Sequence, residues 1–63
     1  MKNKIDVQVG DAIHIYAMFG EPHYKGREGI VTYIDDMHQI HGTWGGLALQ
    51  YSDDWEIIDE KDN

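Results

Sequence analysis

The densest group of side chains that could do chemistry lies between residues 35 and 41, which contain two aspartates and two histidines, Asp35, Asp36, His38 and His41. Imidazole and carboxylate groups together suit zinc or iron. On a strand, however, His41 faces away from its neighbours, and His38 belongs to the preceding turn, so their imidazoles need not converge. We favour a β-turn whose carboxylate accepts hydrogen bonds from its own backbone amides, and we expect no metal and no cofactor.

Groups for covalent catalysis and for phosphate binding are missing from the sequence. There is no cysteine, and Ser52, Thr32 and Thr43 stand in no recognised nucleophile motif. Gly26 and Gly29 are not followed by the lysine of a phosphate-binding loop. We therefore expect a protein that is not an enzyme, with no catalytic residues and no small-molecule substrate.

Seven aromatic residues in 63 are more than a small core can bury. We expect Trp44 and Trp55 to pack over the two open ends of a small closed barrel. Another group gathers around the long connection from residue 19 to residue 26. Aromatic rings give a large contact area at low entropic cost, so this group predicts a site for a partner protein. Its members are Tyr16, Phe19, His23 and Tyr24.

Acidic residues dominate the end of the chain. The net charge is −7, and residues 53–63 hold six acids and one base. Such a segment can steer a basic protein surface towards the molecule, so Asp53, Asp54 and Glu56 are predicted to contact the partner, and their neutralisation is expected to leave the fold intact. Only four bases precede this segment. Because a nucleic-acid duplex needs several converging on its phosphates, we expect no nucleic-acid partner.

The elements that must position these residues are short strands. Apolar residues alternate with polar ones, as in Ile13 and Ile15, and glycines punctuate the chain too often for a long helix. We predict an all-β fold, a small closed barrel of five strands, with one 3₁₀ turn starting at Ser52, before the last strand. The predicted strands lie near residues 12–18, 28–35, 39–44, 47–51 and 56–58.

The length permits one domain at most. Residues 5–58 are predicted to fold, and residues 1–4 and 59–63 are predicted to fray, because the last five residues include no apolar member. No apolar run approaches the ~20 residues that cross a bilayer. We therefore expect no membrane contact and an untargeted, intracellular protein.

Two stretches of the chain carry a resemblance to known families. Residues 9–11 and 26–31 (Gly-Arg-Glu-Gly-Ile-Val) are similar to the opening of small SH3-like barrels of the KOW type. Residues 34–49 resemble, more specifically, a family of short uncharacterised proteins from phages and mobile elements of Gram-positive bacteria. The resemblance covers residues 9–58 and implies an SH3-like barrel in the cytoplasm of a bacterial host. It implies no reaction.

The chain departs from that family at two places. The family usually has glycine where His38 stands, so we expect His38 to have a positive φ. It also has a Pro-Gly pair near Tyr51 and Ser52.

Two functions are compatible with these features. The first is a non-enzymatic protein-binding module of a phage or mobile element that binds a host or phage protein with a basic surface; an acidic inhibitor of a host defence protein is one form of it. The alternative is a KOW-like nucleic-acid-associated adaptor domain, which the shortage of bases disfavours.

Overall fold

The computed structural model describes residues 2–60 and is all-β. All five predicted strands are confirmed: β1 (Ala12–Ala17), β2 (Glu28–Ile34), β3 (Ile40–Gly42), β4 (Gly45–Leu49) and β5 (Asp54–Asp59). Two 3₁₀ turns lie at Lys4–Asp6 and Pro22–Tyr24. No helix in this part of the chain is long and apolar enough to span a membrane.

The strands form one antiparallel sheet in the order β4-β3-β2-β1-β5. Strand β2 belongs to both halves of the sheet: residues 28–30 pair with β1, whereas residues 31–34 pair with β3. The register shifts between Val31 and Tyr33, as at a β-bulge, which bends a strand. Within residues 2–60, no pairing joins β4 to β5. The sheet is therefore open, whereas the sequence predicts a closed barrel.

Alternating side chains of these strands build the core. Ile13 and Ile15 of β1 are fully buried, whereas His14 between them is only partly covered. This alternation is what a strand with one face towards a core requires. The largest fully buried apolar side chains come from four strands: Ile13, Ile15, Val31, Ile40 and Leu49.

Both tryptophans are buried in this core; because the sheet is open, they do not cover the two ends of a closed barrel as predicted. Each indole N–H donates to a backbone carbonyl oxygen 2.9 Å away, Trp44 to Leu47 and Trp55 to Gln50. Trp44 packs against Gly42, where an added Cβ would press on the indole ring and lie 2.6 Å from the Ile30 carbonyl oxygen. Glycine at this position therefore lets the β3–β4 hairpin close over the tryptophan.

The segment before β5 differs from its prediction. Tyr51 and Ser52 form a turn that is not a 3₁₀ helix. The backbone N–H of Asp53 donates to the carbonyl oxygen of Gln50 at 3.0 Å, and the Asp53 carboxylate accepts from the Gln50 N–H at 2.8 Å. The Asp53 side chain thus accepts a hydrogen bond from the Gln50 N–H, at the start of the turn. The chain therefore makes a single turn and then enters β5 directly.

The two ends of the predicted domain contact the rest of the fold. Lys2 Nζ lies 2.9 Å from a carboxylate oxygen of the buried Asp11. Lys4 Nζ donates to the Asp53 carbonyl oxygen at 2.6 Å and lies 4.7 Å from the centre of a Trp55 ring. Asp59 is part of β5. Fraying of residues 2–4 and 59–60 stays a prediction, beside the contacts that Lys2, Lys4 and Asp59 make, while residue 1 and residues 61–63 lie outside the described residues.

Candidate functional site

An open groove of about 380 Å³ lies beside strand β4 and the turn that leads into β5. Three segments build its walls: the connection that leaves β1, strand β4 and the turn before β5. Its lining is mixed, with four apolar and four polar residues: Met18, Phe19, Leu47, Ala48, Glu21, Gln50, Ser52 and Asp53. Ligand pockets commonly hold ~300–1,000 Å³, so the groove can hold part of a partner molecule.

Phe19 stands at this groove with 95% of its surface exposed. Its backbone is nevertheless fixed, because the Phe19 N–H donates to Oδ1 of Asp53 at 3.0 Å. The next turn is closed by a bond from the Glu21 N–H to the Met18 carbonyl oxygen at 2.9 Å, and Gly20 supplies the positive φ of 77° that the turn needs. The structure therefore holds an exposed aromatic ring on an ordered backbone.

Asp53 is the residue that joins the groove walls. It is 5% exposed, and its two carboxylate oxygens accept the backbone N–H groups of Phe19 and Gln50. Losing a buried acceptor leaves its donors without a partner, which costs ~1–3 kcal/mol. These contacts argue against neutralising Asp53 without a loss of stability, and they fix the backbone of Phe19 at the groove.

Glu21 lines the same groove and is half-buried. Its carboxylate has no hydrogen bond or ion pair with any other residue from 2 to 60. The other carboxylates that are at least half-buried each have a partner: Asp11, Asp35, Asp53 and Glu56. Glu21 thus has no counterion in the described part of the chain, and its carboxylate oxygens are not buried.

Tyr16 lies apart from the groove, on the outer face of β1. Its ring centre is 4.6 Å from that of His14, and its hydroxyl donates a hydrogen bond to Glu56 on β5. This bond raises the pKa of the Tyr16 hydroxyl above its ordinary value, and partial burial and the negative charges of Glu56, Asp54 and Glu28 act in the same direction. Tyr16 therefore remains a hydrogen-bond donor at neutral pH.

Two of the predicted contact acids share this outer face with Tyr16. Asp54 is exposed at the start of β5, and Glu56 is half-buried beside His14. On the other side of His14, Oε2 of Glu28 lies 2.8 Å from Nδ1 of the imidazole. The outer face of β1, β2 and β5 is therefore an acidic surface around two aromatic rings.

His23 and Tyr24 occupy the second 3₁₀ turn, where both contact Arg27. The Arg27 guanidinium carbon lies 4.3 Å from the centre of the Tyr24 ring. Arg27 also donates to the carbonyl oxygens of His23, at 3.2 Å, and Trp44, at 2.8 Å. These contacts of Arg27 connect the 3₁₀ turn at Pro22–Tyr24 to the β3–β4 hairpin. His23, Tyr24 and Arg27 do not line the groove. Of the four predicted aromatic contacts, the groove receives Phe19 alone.

The cluster around residue 35 takes the form of a capped turn. Asp35 Oδ1 accepts the N–H groups of Met37 and Gln39, each at 2.9 Å, and Oδ2 accepts from His41 Nε2 at 3.0 Å. His38 has φ of 62°, as predicted. The hydrogen bond from His41, followed by that from Gln39, lowers the pKa of Asp35 below its ordinary value. Residues 2–60 contain no group of three side chains placed to hold a metal ion.

No sequence pattern identifies Glu21 and Leu47 as members of the site. They lie 26 positions apart on different elements, and only the fold brings both to one groove.

The chain matches no known family model, and its comparison with curated proteins and with solved structures gives no match.

Proposed function

We propose that the protein is a non-enzymatic protein-binding module that takes part of a partner protein into the groove beside Phe19. The observation that carries this proposal is the exposed Phe19 ring on a backbone held by the buried Asp53. Exposing an aromatic ring gains nothing for folding, whereas a fixed ring gives a partner a large contact area at little entropic cost.

Two other apolar side chains are highly exposed but do not line the groove. Ile5 is 81% exposed and Met37 is 78% exposed. Neither contributes to the groove lining. Phe19 combines exposure, a fixed backbone and a neighbouring cavity, which is the arrangement found at binding hot spots.

Charge favours a basic protein partner. The chain has twelve acids and five bases. Three of the four described bases make intramolecular contacts: Lys2 with Asp11, Lys4 with backbone carbonyls and Arg27 with Tyr24 and backbone carbonyls. Few positive groups are left to meet phosphates, so the alternative of a KOW-like nucleic-acid adaptor has little support.

We also propose that the sheet is of the SH3-like class and that the chain comes from a phage or mobile element. The support for the fold is the strand order β4-β3-β2-β1-β5 with β2 shared between two halves. The support for the origin is the resemblance of residues 34–49. In this proposal the module has no catalytic group and acts by covering a surface of its partner. An inhibitor of a host defence protein would act in this way.

Affinity capture with three baits tests the binding function. The baits are the wild type, Phe19→Ala and the matched control Met37→Ala, each exposed to a lysate of a Gram-positive bacterium, with bound proteins identified by mass spectrometry. We expect at least one protein that the wild type and Met37→Ala retain and Phe19→Ala loses. If every bound protein is retained equally by all three baits, the groove is not the binding site.

A further inference from the structure

We infer that the groove beside Phe19 binds an arginine side chain of the partner protein. This inference rests on the proposed protein-binding function and names the chemistry that its groove recognises. It follows from three features of the groove: the mixture of apolar and polar lining, the carboxylate of Glu21 without a partner among residues 2–60, and the exposed aromatic ring of Phe19.

The lining suits a side chain that is apolar along its length and charged at its end. Met18, Phe19, Leu47 and Ala48 offer apolar surface, and Glu21, Gln50 and Ser52 offer polar groups. Arginine and lysine bury their methylene stems on apolar surface while the charged end meets polar partners. A purely apolar side chain seated in the groove would cover the carboxylate of Glu21 without giving it a counterion, which is unfavourable.

Negative charge in the groove selects a cation. Glu21 is half-buried and has no ion pair within residues 2–60, and Asp53 adds a second negative charge to the same lining. The carboxylate of Asp53 is occupied by two backbone N–H groups. Glu21 is therefore the group that would meet the incoming cation.

The aromatic ring favours arginine over lysine. A planar guanidinium stacks on an aromatic face and presents several donors to a carboxylate, whereas an ammonium group is a more strongly hydrated point charge. The chain contains the same pairing internally, where Arg27 lies 4.3 Å from the centre of the Tyr24 ring while donating to a carbonyl oxygen. At the groove, Phe19 would provide the ring and Glu21 the acceptor.

Titration of the ¹⁵N-labelled protein with three capped tripeptides tests this inference. The probes are Gly-Arg-Gly, Gly-Lys-Gly and Gly-citrulline-Gly, the last being close in shape to arginine but uncharged. We expect saturable shifts of the amide resonances of residues 18–21 and 47–53 with the arginine peptide, a weaker response with the lysine peptide and none with the citrulline peptide.

Two matched variants assign the response to the groove. Glu21→Gln is expected to weaken binding of the arginine peptide about tenfold, because it removes a charge-assisted hydrogen bond. Glu60→Gln removes the same charge from an exposed position outside the groove and should leave the affinity unchanged. Phe19→Leu keeps an apolar side chain without the ring and should also weaken binding.

The inference is overturned if the arginine peptide produces no saturable shift, if citrulline replaces arginine without loss, or if Glu21→Gln behaves like Glu60→Gln. These results would leave the binding function standing if capture of a protein still depends on Phe19. Loss of that dependence in the capture experiment would instead overturn the binding function itself.

Discussion

The carboxylate of Asp53 connects two segments that are far apart in sequence. It accepts the N–H of Phe19, 34 positions away, and the N–H of Gln50 in its own turn. Because both bonds are shielded from water, Asp53 stabilises the fold and also fixes the backbone of the exposed ring.

Replacing Asp53 by asparagine should destabilise the protein by ~1–3 kcal/mol, because an amide NH₂ would face one of the two N–H donors. Asp54→Asn is the matched control. Asp54 is exposed, so its replacement should change the free energy of unfolding by less than about 0.5 kcal/mol. Urea denaturation measures both. If Asp53→Asn and Asp54→Asn are equally stable, the hydrogen bonds accepted by the Asp53 carboxylate do not stabilise the fold.

His38 is a non-glycine residue in the left-handed region, with φ of 62°. Replacing it by glycine removes the backbone strain but gives the unfolded chain more freedom, so we expect a change between zero and a stabilisation of ~1 kcal/mol. Its ring centre lies 6.5 Å from that of Tyr51. A clear loss of stability in urea denaturation of His38→Gly would show that this ring contact outweighs the strain.

The turn between β2 and β3 should carry a pH dependence through Asp35. Hydrogen bonds lower its pKa in the folded state, so the ionised carboxylate stabilises the fold fully above the ordinary pKa of aspartate, and this contribution is lost as the pH falls through the lowered value. We expect Asp35→Asn to be less stable than the wild type at neutral pH and the difference to shrink in the acid range.

Urea denaturation over a series of pH values measures this difference, with Asp36→Asn as the control at the neighbouring exposed position. A stability gap between wild type and Asp35→Asn that stays constant into strong acid would show that the Asp35 carboxylate does not stabilise the turn through its charge.

The strands could be predicted from the sequence because their patterns are local. Ile13 and Ile15 alternate with polar neighbours, and glycines mark the ends of most elements. The side chains of β2 are harder to assign. Alternation suggests Ile30 as a core residue, yet Ile30 is exposed and Val31 is buried. The pairing with β1 decides the face: Gly29 lies opposite the buried Ile13, so residues 29 and 31 face the core and Ile30 faces outward.

The candidate site could be predicted only in part, for a related reason. Phe19 and Tyr24 look alike in sequence, since both are aromatic residues in one long connection. Tyr24 is held by Arg27, whereas Phe19 remains exposed. Likewise, Asp53 and Asp54 are neighbours with the same charge, but only Asp53 is buried. The contact of Tyr24 with Arg27 and the long-range hydrogen bond between Asp53 and Phe19 make these distinctions, and the sequence pattern does not contain them.

Over the whole molecule, acidic charge should act on the rate of association. Asp54 and Glu56 lie on the outer face of β5, and a surface of one charge sign accelerates encounter with a basic partner. The double variant Asp54→Asn, Glu56→Gln should slow association with the captured partner and leave dissociation nearly unchanged. Surface plasmon resonance at low and high salt measures both rates.

The slowing should shrink at high salt, because salt screens exposed charges. If the double variant associates at the wild-type rate in low salt, these acids are only a solvated surface. The groove would then carry the interaction without help from the outer face.

Hydrogen–deuterium exchange of the protein, free and bound to the purified captured partner, tests whether a partner protein occupies the groove beside Phe19. We predict that binding slows exchange in residues 18–21 and 47–53 and leaves the 3₁₀ turn at Pro22–Tyr24 and the β2–β3 turn unchanged. Protection confined to the outer face of β1 and β5, with no change around the groove, would contradict this prediction.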